Sequence, residues 1–140
     1  MTDTDIEKLI PHRDRMKLLD RVISGDENSA VCESVVRVQW PMVKNQAVSP
    51  LVLIELAAQT SAVYIRQKEL GKGKDPAEGK GWLVGIKSAV FFTDKIPLHT
   101  RITTSAEIRS SLDNYTEIHS ISKIGTEPAA EIILQVMRAV

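Results

Sequence analysis

The chain has 140 residues and a single cysteine, Cys32. No internal disulfide can form, and the thiol count gives no sign of an oxidising compartment. Cys32 reads as a small hydrophobe in a strand, with a reactive thiol as the alternative. An excess of charge of one sign is missing too: 18 basic residues meet 18 acidic ones, a formal net charge of zero. That removes the case for nucleic acid, which calls for a basic face, and weakly favours self-association. The start, Met1-Thr-Asp-Thr-Asp5, is acidic and lacks the basic and apolar regions of a signal peptide. No apolar run is both long enough and free enough of polar groups to span a bilayer. A cytoplasmic protein without membrane or nucleic-acid partners is expected. Metal-ligand spacings, a phosphate-cradling glycine loop and a Ser-His-Asp grouping are also lacking, so neither metal nor cofactor is expected.

Against those absences stands an ordinary soluble composition, 43% apolar and 26% charged. The length suits one domain covering 1–140, with enough chain to bury a core. Its most informative stretch is Ser49-Pro-Leu-Val-Leu-Ile-Glu-Leu-Ala-Ala-Gln-Thr-Ser-Ala-Val-Tyr-Ile65. This reads as a helix over about 50–70 that is apolar on nearly every side, hence interior. Pro50 suits its first turn and Gly71 its end. Set into it is Glu55, with Gln59 four residues later on the same face. A carboxylate in an apolar interior costs several kcal/mol unless it is paired, hydrogen-bonded or protonated. Glu55 is therefore either held by a specific partner or placed for chemistry, and Gln59 either supports it or bonds a loop.

Around this helix the pattern is strand-like. Thr4-Asp5-Ile6-Glu7 has capping-box spacing for a short helix that Pro11 stops. Leu18 to Ser24 and Ala30 to Gln39 read as a hairpin across the turn cluster at 25–29. The alternation in the second strand slips at Ser34-Val35, as a bulge would make it. Trp40 to Ser49 reads as a loop, and Gly71 to Lys80 as a charged, glycine-rich one. Trp82 to Phe92, Arg101 to Ser110, Tyr115 to Lys123 and Ala129 to Ala139 follow as strands separated by turn residues. The fold class is α+β: an antiparallel sheet of five to six strands wrapped on one long central helix. A second copy is the economical cover for the helix side that the sheet leaves open.

Three stretches carry a resemblance. Ile10-Pro-His-Arg13 leads into Met16-Lys-Leu-Leu-Asp-Arg-Val22; Leu51-Val-Leu-Ile-Glu-Leu-Ala-Ala-Gln59 opens the helix; Gly81-Trp-Leu-Val-Gly-Ile-Lys-Ser-Ala-Val-Phe91 follows the loop. In these the chain resembles the hotdog superfamily and, within it, the β-hydroxyacyl-(acyl carrier protein) dehydratases. It is also similar to a divergent branch of aryl-polyene-type pathways whose central helix opens without the usual glycine. The resemblance implies a hotdog fold and a homodimer, or a heterodimer with another hotdog protein. It implies a substrate that is an acyl-phosphopantetheine thioester, on acyl carrier protein or CoA, held in a tunnel at the dimer interface. A histidine from one subunit and the helix acid from the other would move the proton and the water. Carried onto this chain, the catalytic acid is Glu55 and the supporting residue is Gln59.

The departures from that pattern are specific. Where the resemblance places the catalytic histidine, fourteen residues before the acid, this chain has Pro41, between Trp40 and Met42. Where it places a glycine whose N–H polarises the thioester carbonyl, this chain has Pro50, which has no N–H; Leu51 can stand in only if the helix start is shifted. Its Pro-Gly-Asp turn reads Pro97-Leu-His99. The expected substrate contacts are Gln59, Leu51, Trp40 and Pro41, with Trp40 read as a lid or as a core aromatic. His12 reads as part of a structural corner, His99 and His119 as solvated histidines. Lys72, Lys74 and Lys80 read as a solvated loop or as a greeting for an acidic carrier protein. The expected function is a 3-hydroxyacyl-(acyl carrier protein) dehydratase-like protein of fatty acid or polyene synthesis. The alternatives are a catalytically silent hotdog subunit that pairs with an active dehydratase, and an acyl thioesterase.

Overall fold

The computed structural model of the chain describes residues 6–10, 16–71, 73 and 82–138. The expected cap at Thr4, the histidine His12 and the lysines Lys72, Lys74 and Lys80 lie outside them. Among the described residues, two α-helices, α1 (Ile6–Leu9) and α2 (Val52–Gly71), accompany nine strands. Five of these are β1 (Arg21–Gly25), β2 (Ser29–Val35), β3 (Val43–Lys44), β4 (Ala47–Val48) and β5 (Trp82–Phe91). The others are β6 (Ile96–Pro97), β7 (Arg101–Leu112), β8 (Tyr115–Ile124) and β9 (Glu127–Arg138).

Six strands form one sheet in the order β1-β2-β7-β8-β9-β5, and β3, β4 and β6 form a second, small one. The strands of both sheets pair antiparallel, and β1 and β5 are the edges of the larger sheet. Period-two alternation decides which face is buried. Ala30, Cys32, Ser34 and Val36 point inward, as do Ile102, Thr104 and Ala106, and then Ala130, Ile132, Leu134 and Val136. They pack against the α2 face that carries Leu53, Leu56, Ala57, Thr60 and Tyr64. The long helix on a six-stranded antiparallel sheet is the hotdog architecture, as expected from the sequence; β5 pairs with β9 at the edge rather than with β7, its neighbour in the main sheet's chain order.

Local differences have local causes. Leu18 and Leu19 are buried ahead of β1 rather than within it. The strand ladder starts only at Arg21, because Asp20 is occupied as a corner. Its carboxylate accepts from the Val35 N–H at 2.8 Å and from Arg37 Nη2 at 2.9 Å, and its own N–H donates to the Glu33 carbonyl. That cap also ends β2 at Val35, short of Gln39, and leaves Val38 69% exposed. The expected bulge at Ser34-Val35 is not there. The register slips instead in β1, between Val22 and Ser24. The stretch read as a loop from Trp40 to Ser49 contains the β3–β4 hairpin, to which β6 adds. Met42, Asn45, Gln46 and His99, all at this small sheet, have positive φ of 53–70°, backbone that non-glycine residues adopt only when their surroundings impose it.

Candidate functional site

The site is organised by the start of α2. Ser49 caps it: its Oγ accepts from the Leu51 N–H at 3.2 Å, and its carbonyl from the Val52 N–H at 3.1 Å. The Pro50 and Leu51 carbonyls accept from Leu53 and Ile54 at 2.9 and 3.1 Å. Pro50 fits here because its missing N–H has no work to do in a first turn. The N–H groups of residues 51–54 are thus all engaged within the helix start. The resemblance led to the expectation that amides here would polarise a substrate carbonyl, with Leu51 as stand-in donor only if the helix start is shifted. The geometry gives Leu51 N–H to Ser49 instead.

Glu55 lies in the first turn of α2. Its carboxylate accepts a hydrogen bond from Gln59 Nε2 at 3.2 Å. In the protomer it is half-buried, not fully enclosed as the apolar sequence around it suggested. Leu51, four residues before it and so on the same face, is 53% exposed. Ile54 and Ala58 beside it are half-buried. The acid therefore stands at an apolar, partly open flank of the helix, turned from the sheet.

Gln59 is completely buried. Its Oε1 accepts from the Leu18 N–H at 3.1 Å, and its Nε2 donates to the Met16 carbonyl as well as to Glu55. Both amide hydrogens are used. The side chain ties the segment 16–18 to the helix and fixes the acid's rotamer, so it touches Glu55 rather than an opening. Trp40 is 3% exposed and belongs to the core, which in the protomer leaves it no freedom to act as a lid. Pro41 is half-buried beside it. His119 is on the outer face of the sheet, 3.4 Å from Glu131, away from α2. His99 is exposed in the turn after β6. Among the described residues, no group of three or more His, Cys, Asp or Glu could hold a metal ion. Cys32 is fully buried, and burial raises its thiol pKa to about 12, outweighing the opposing effect of the Thr60 hydroxyl. It is a strand hydrophobe, not a nucleophile.

A second polar cluster, which the sequence pattern does not single out, lies on the outer face. Glu117 is 8% exposed. It accepts from Tyr115 Oη at 2.7 Å and from Lys87 Nζ at 2.9 Å, with Arg109 Nη1 at 4.0 Å. Gln135 Nε2 donates to Tyr115 Oη at 3.1 Å. A Cβ at residue 85 would sit 3.2 Å from Gln135 Oε1, so Gly85 gives the amide room to lie across β5. The Tyr115 hydroxyl, and then Lys87, hold the Glu117 carboxyl below its usual value. The visible signal is Gly85 inside a strand pattern.

One long helix laid in a six-stranded antiparallel sheet, with an acid in the helix's first turn, is the architecture of a hotdog protein. A family model described as ApeP-like, ApeP dehydratase, matches residues 4–138, and the chain belongs to that family. It is 33% identical over 109 residues to the 3-hydroxyacyl-[acyl-carrier-protein] dehydratase FabZ of Clostridium beijerinckii, covering 70% of this chain and 75% of the relative. With the FabZ of Oenococcus oeni it shares 26% over 137 residues, 92% and 93% of the two chains. A chain of the dehydratase heterocomplex ApeI:P from Xenorhabdus doucetiae superposes with a TM-score of 0.83 at 14% identity, covering 96% of this chain and 91% of that one. No described helix is long and apolar enough to cross a membrane.

Proposed function

We propose that this protein is one half of a 3-hydroxyacyl-thioester dehydratase, in which Glu55 supplies the acid and a second hotdog chain supplies the base and the carbonyl-binding amide. The observation that carries the reading is the pairing of a held acid with a spent helix start. Glu55 is fixed by Gln59 at an apolar flank, while residues 50–54 have no N–H left for a thioester oxygen. Dehydration removes a proton from C2 and the hydroxyl from C3. The hydroxyl must leave as water, which needs a proton donor within hydrogen-bond reach. The developing enolate needs donors aimed at the carbonyl oxygen. This chain offers the first, its helix start does not offer the second, and where the dehydratase pattern has its histidine it has Pro41. The relatives named for 3-hydroxyacyl-(acyl carrier protein) dehydration support the substrate class, and the neighbour solved as a heterocomplex supports a hotdog partner. The acyl group would ride on phosphopantetheine, with Leu51 and Pro41 at the entrance.

The test is turnover of a 3-hydroxyacyl thioester by the purified protein, alone and after co-expression with a hotdog chain that carries the histidine. The pair makes enoyl thioester, and Glu55→Gln in this chain lowers its rate about 100-fold or more. Full rate with Glu55→Gln would remove the acid from the mechanism. Full rate by the isolated chain would remove the partner. Release of free acid instead of enoyl thioester would make the protein a thioesterase.

A further inference from the structure

Beneath α2 the sheet is not uniformly apolar. Cys32 stands opposite Thr104, and Thr104 opposite Ser122, in one row across β2, β7 and β8. Ser34 is the next inward residue after Cys32 on β2, and Ser120 the one before Ser122 on β8. Because β2 and β8 both run antiparallel to β7, these two flank the row on opposite sides. Together they trace a diagonal seam, which Thr60 meets from the helix, facing the Cys32 thiol. Every one of these side chains belongs to a residue at most 2% exposed. The seam's hydrogen bonds do not balance. Thr104 Oγ1 and Ser122 Oγ bond each other at 2.9 Å, which uses the hydrogen of one hydroxyl and leaves that of the other over. The hydroxyls of Ser34, Thr60 and Ser120 have no hydrogen-bond partner. Buried polar atoms in folded proteins are nearly always bonded, to protein or to ordered water. Direct bonds along the seam are out of reach. Alternate residues of a strand stand about 7 Å apart on one face, against about 2.8 Å for a bond between two hydroxyls. Two such bonds through one intervening oxygen reach about 5 Å, and side chains leaning along the strand make up the rest. The group that fits must accept from one hydroxyl and donate to the next. It must be no larger than a single oxygen centre and carry no charge, since only hydroxyls and a thiol line the seam. Water meets all of these conditions.

We infer that two structural water molecules are bound between α2 and the sheet, one by Ser120 with the Thr104–Ser122 pair, the other by Ser34 with Thr60. The helix whose far side carries Glu55 thus rests in part on water held by hydroxyls. The inference stands on the seam alone and not on the proposed reaction.

A high-resolution crystal structure of the full chain tests this directly. One ordered water is expected within about 3.2 Å of Ser120 Oγ and of a hydroxyl of the Thr104–Ser122 pair, and a second within that distance of Ser34 Oγ and Thr60 Oγ1. Thermal denaturation tests it by sign. Thr60→Val keeps the branched shape of the side chain and removes its hydroxyl. With water bound there, the variant takes away one of the water's partners, and the midpoint falls by about 2 °C or more. In a dry seam the same change sheds an unsatisfied group, and the midpoint rises. Ser120→Ala gives the corresponding reading on the other water, and the crystal structure of that variant loses the water at this place. Seam positions that hold no water, or a midpoint unchanged or raised in either variant, would overturn the inference.

Discussion

Two carboxylates, one on each side of the sheet, have different surroundings. On the outer face Glu117 is bonded by a tyrosine hydroxyl and a lysine, with an arginine at 4.0 Å. These contacts favour the charged form and fix it, as a structural ion cluster does. At the helix Glu55 takes a bond from the neutral amide of Gln59, which orients the group without itself supplying a positive charge. The outer cluster ties β5, β9 and β8 together. The inner pair ties the acid to the segment 16–18. A carboxylate clamped between cations is a fastener; Glu55, half-buried at the first turn of α2 and oriented by Gln59, is placed for the proton transfer proposed for it.

Substitutions can break or sharpen this contrast. The largest effect is expected at Gln59→Leu. It strands the Leu18 N–H and the Met16 carbonyl and releases Glu55, at about 1–3 kcal/mol for each buried group left unpaired. A loss of about 3 kcal/mol in urea denaturation should accompany lower turnover by the partnered enzyme, even with Glu55 intact. Unchanged stability would mean that the strut holds nothing. Glu117→Gln should act on stability and not on turnover. The folded-state pKa of Glu117 is depressed, so the unfolded chain takes up its proton more readily. The stability the group contributes is present above its unfolded pKa and disappears as pH falls through the lower folded value. Denaturation of the two proteins should differ most near neutrality and converge in acid; a difference independent of pH would refute the charge-based account. Gly85→Ala should have the smallest effect, about 1 kcal/mol or less, because the contact at 3.2 Å is with the far end of a glutamine side chain that can give way. Its signature is loss of the Gln135–Tyr115 bond in a crystal structure, with the Glu117–Lys87 pair retained.

Much of this is legible in the residues. The apolar run with Glu55 and Gln59 sets the helix and its acid, and the turn residues at 113–114 and 125–126 set the meander of β7, β8 and β9. The end of β2 is not legible, because its buried face is Ala30, Cys32, Ser34 and Val36, small or polar groups that match Thr104 and Ala106 on the neighbouring β7. Hydrophobic alternation cannot show a face whose members are not all hydrophobic. The role of Gln59 toward Met16 and Leu18 is invisible because the contact spans more than 40 residues. The small sheet is hidden because two-residue strands have no period. The Glu117 cluster escapes the sequence because alternate residues of separate strands come into register only in the folded sheet.

The opening of α2 has a bearing on ancestry and on engineering. If the proposed function holds, converting Pro41 to histidine would return a base to the place the dehydratase pattern gives it, yet a thioester carbonyl would still meet a proline ring at position 50 and a leucine amide already committed to Ser49. On the proposed function, two changes, neither useful without the other, would separate this chain from working by itself. Dependence on a companion, if fixed by such a pair of prolines, would be hard to undo one codon at a time.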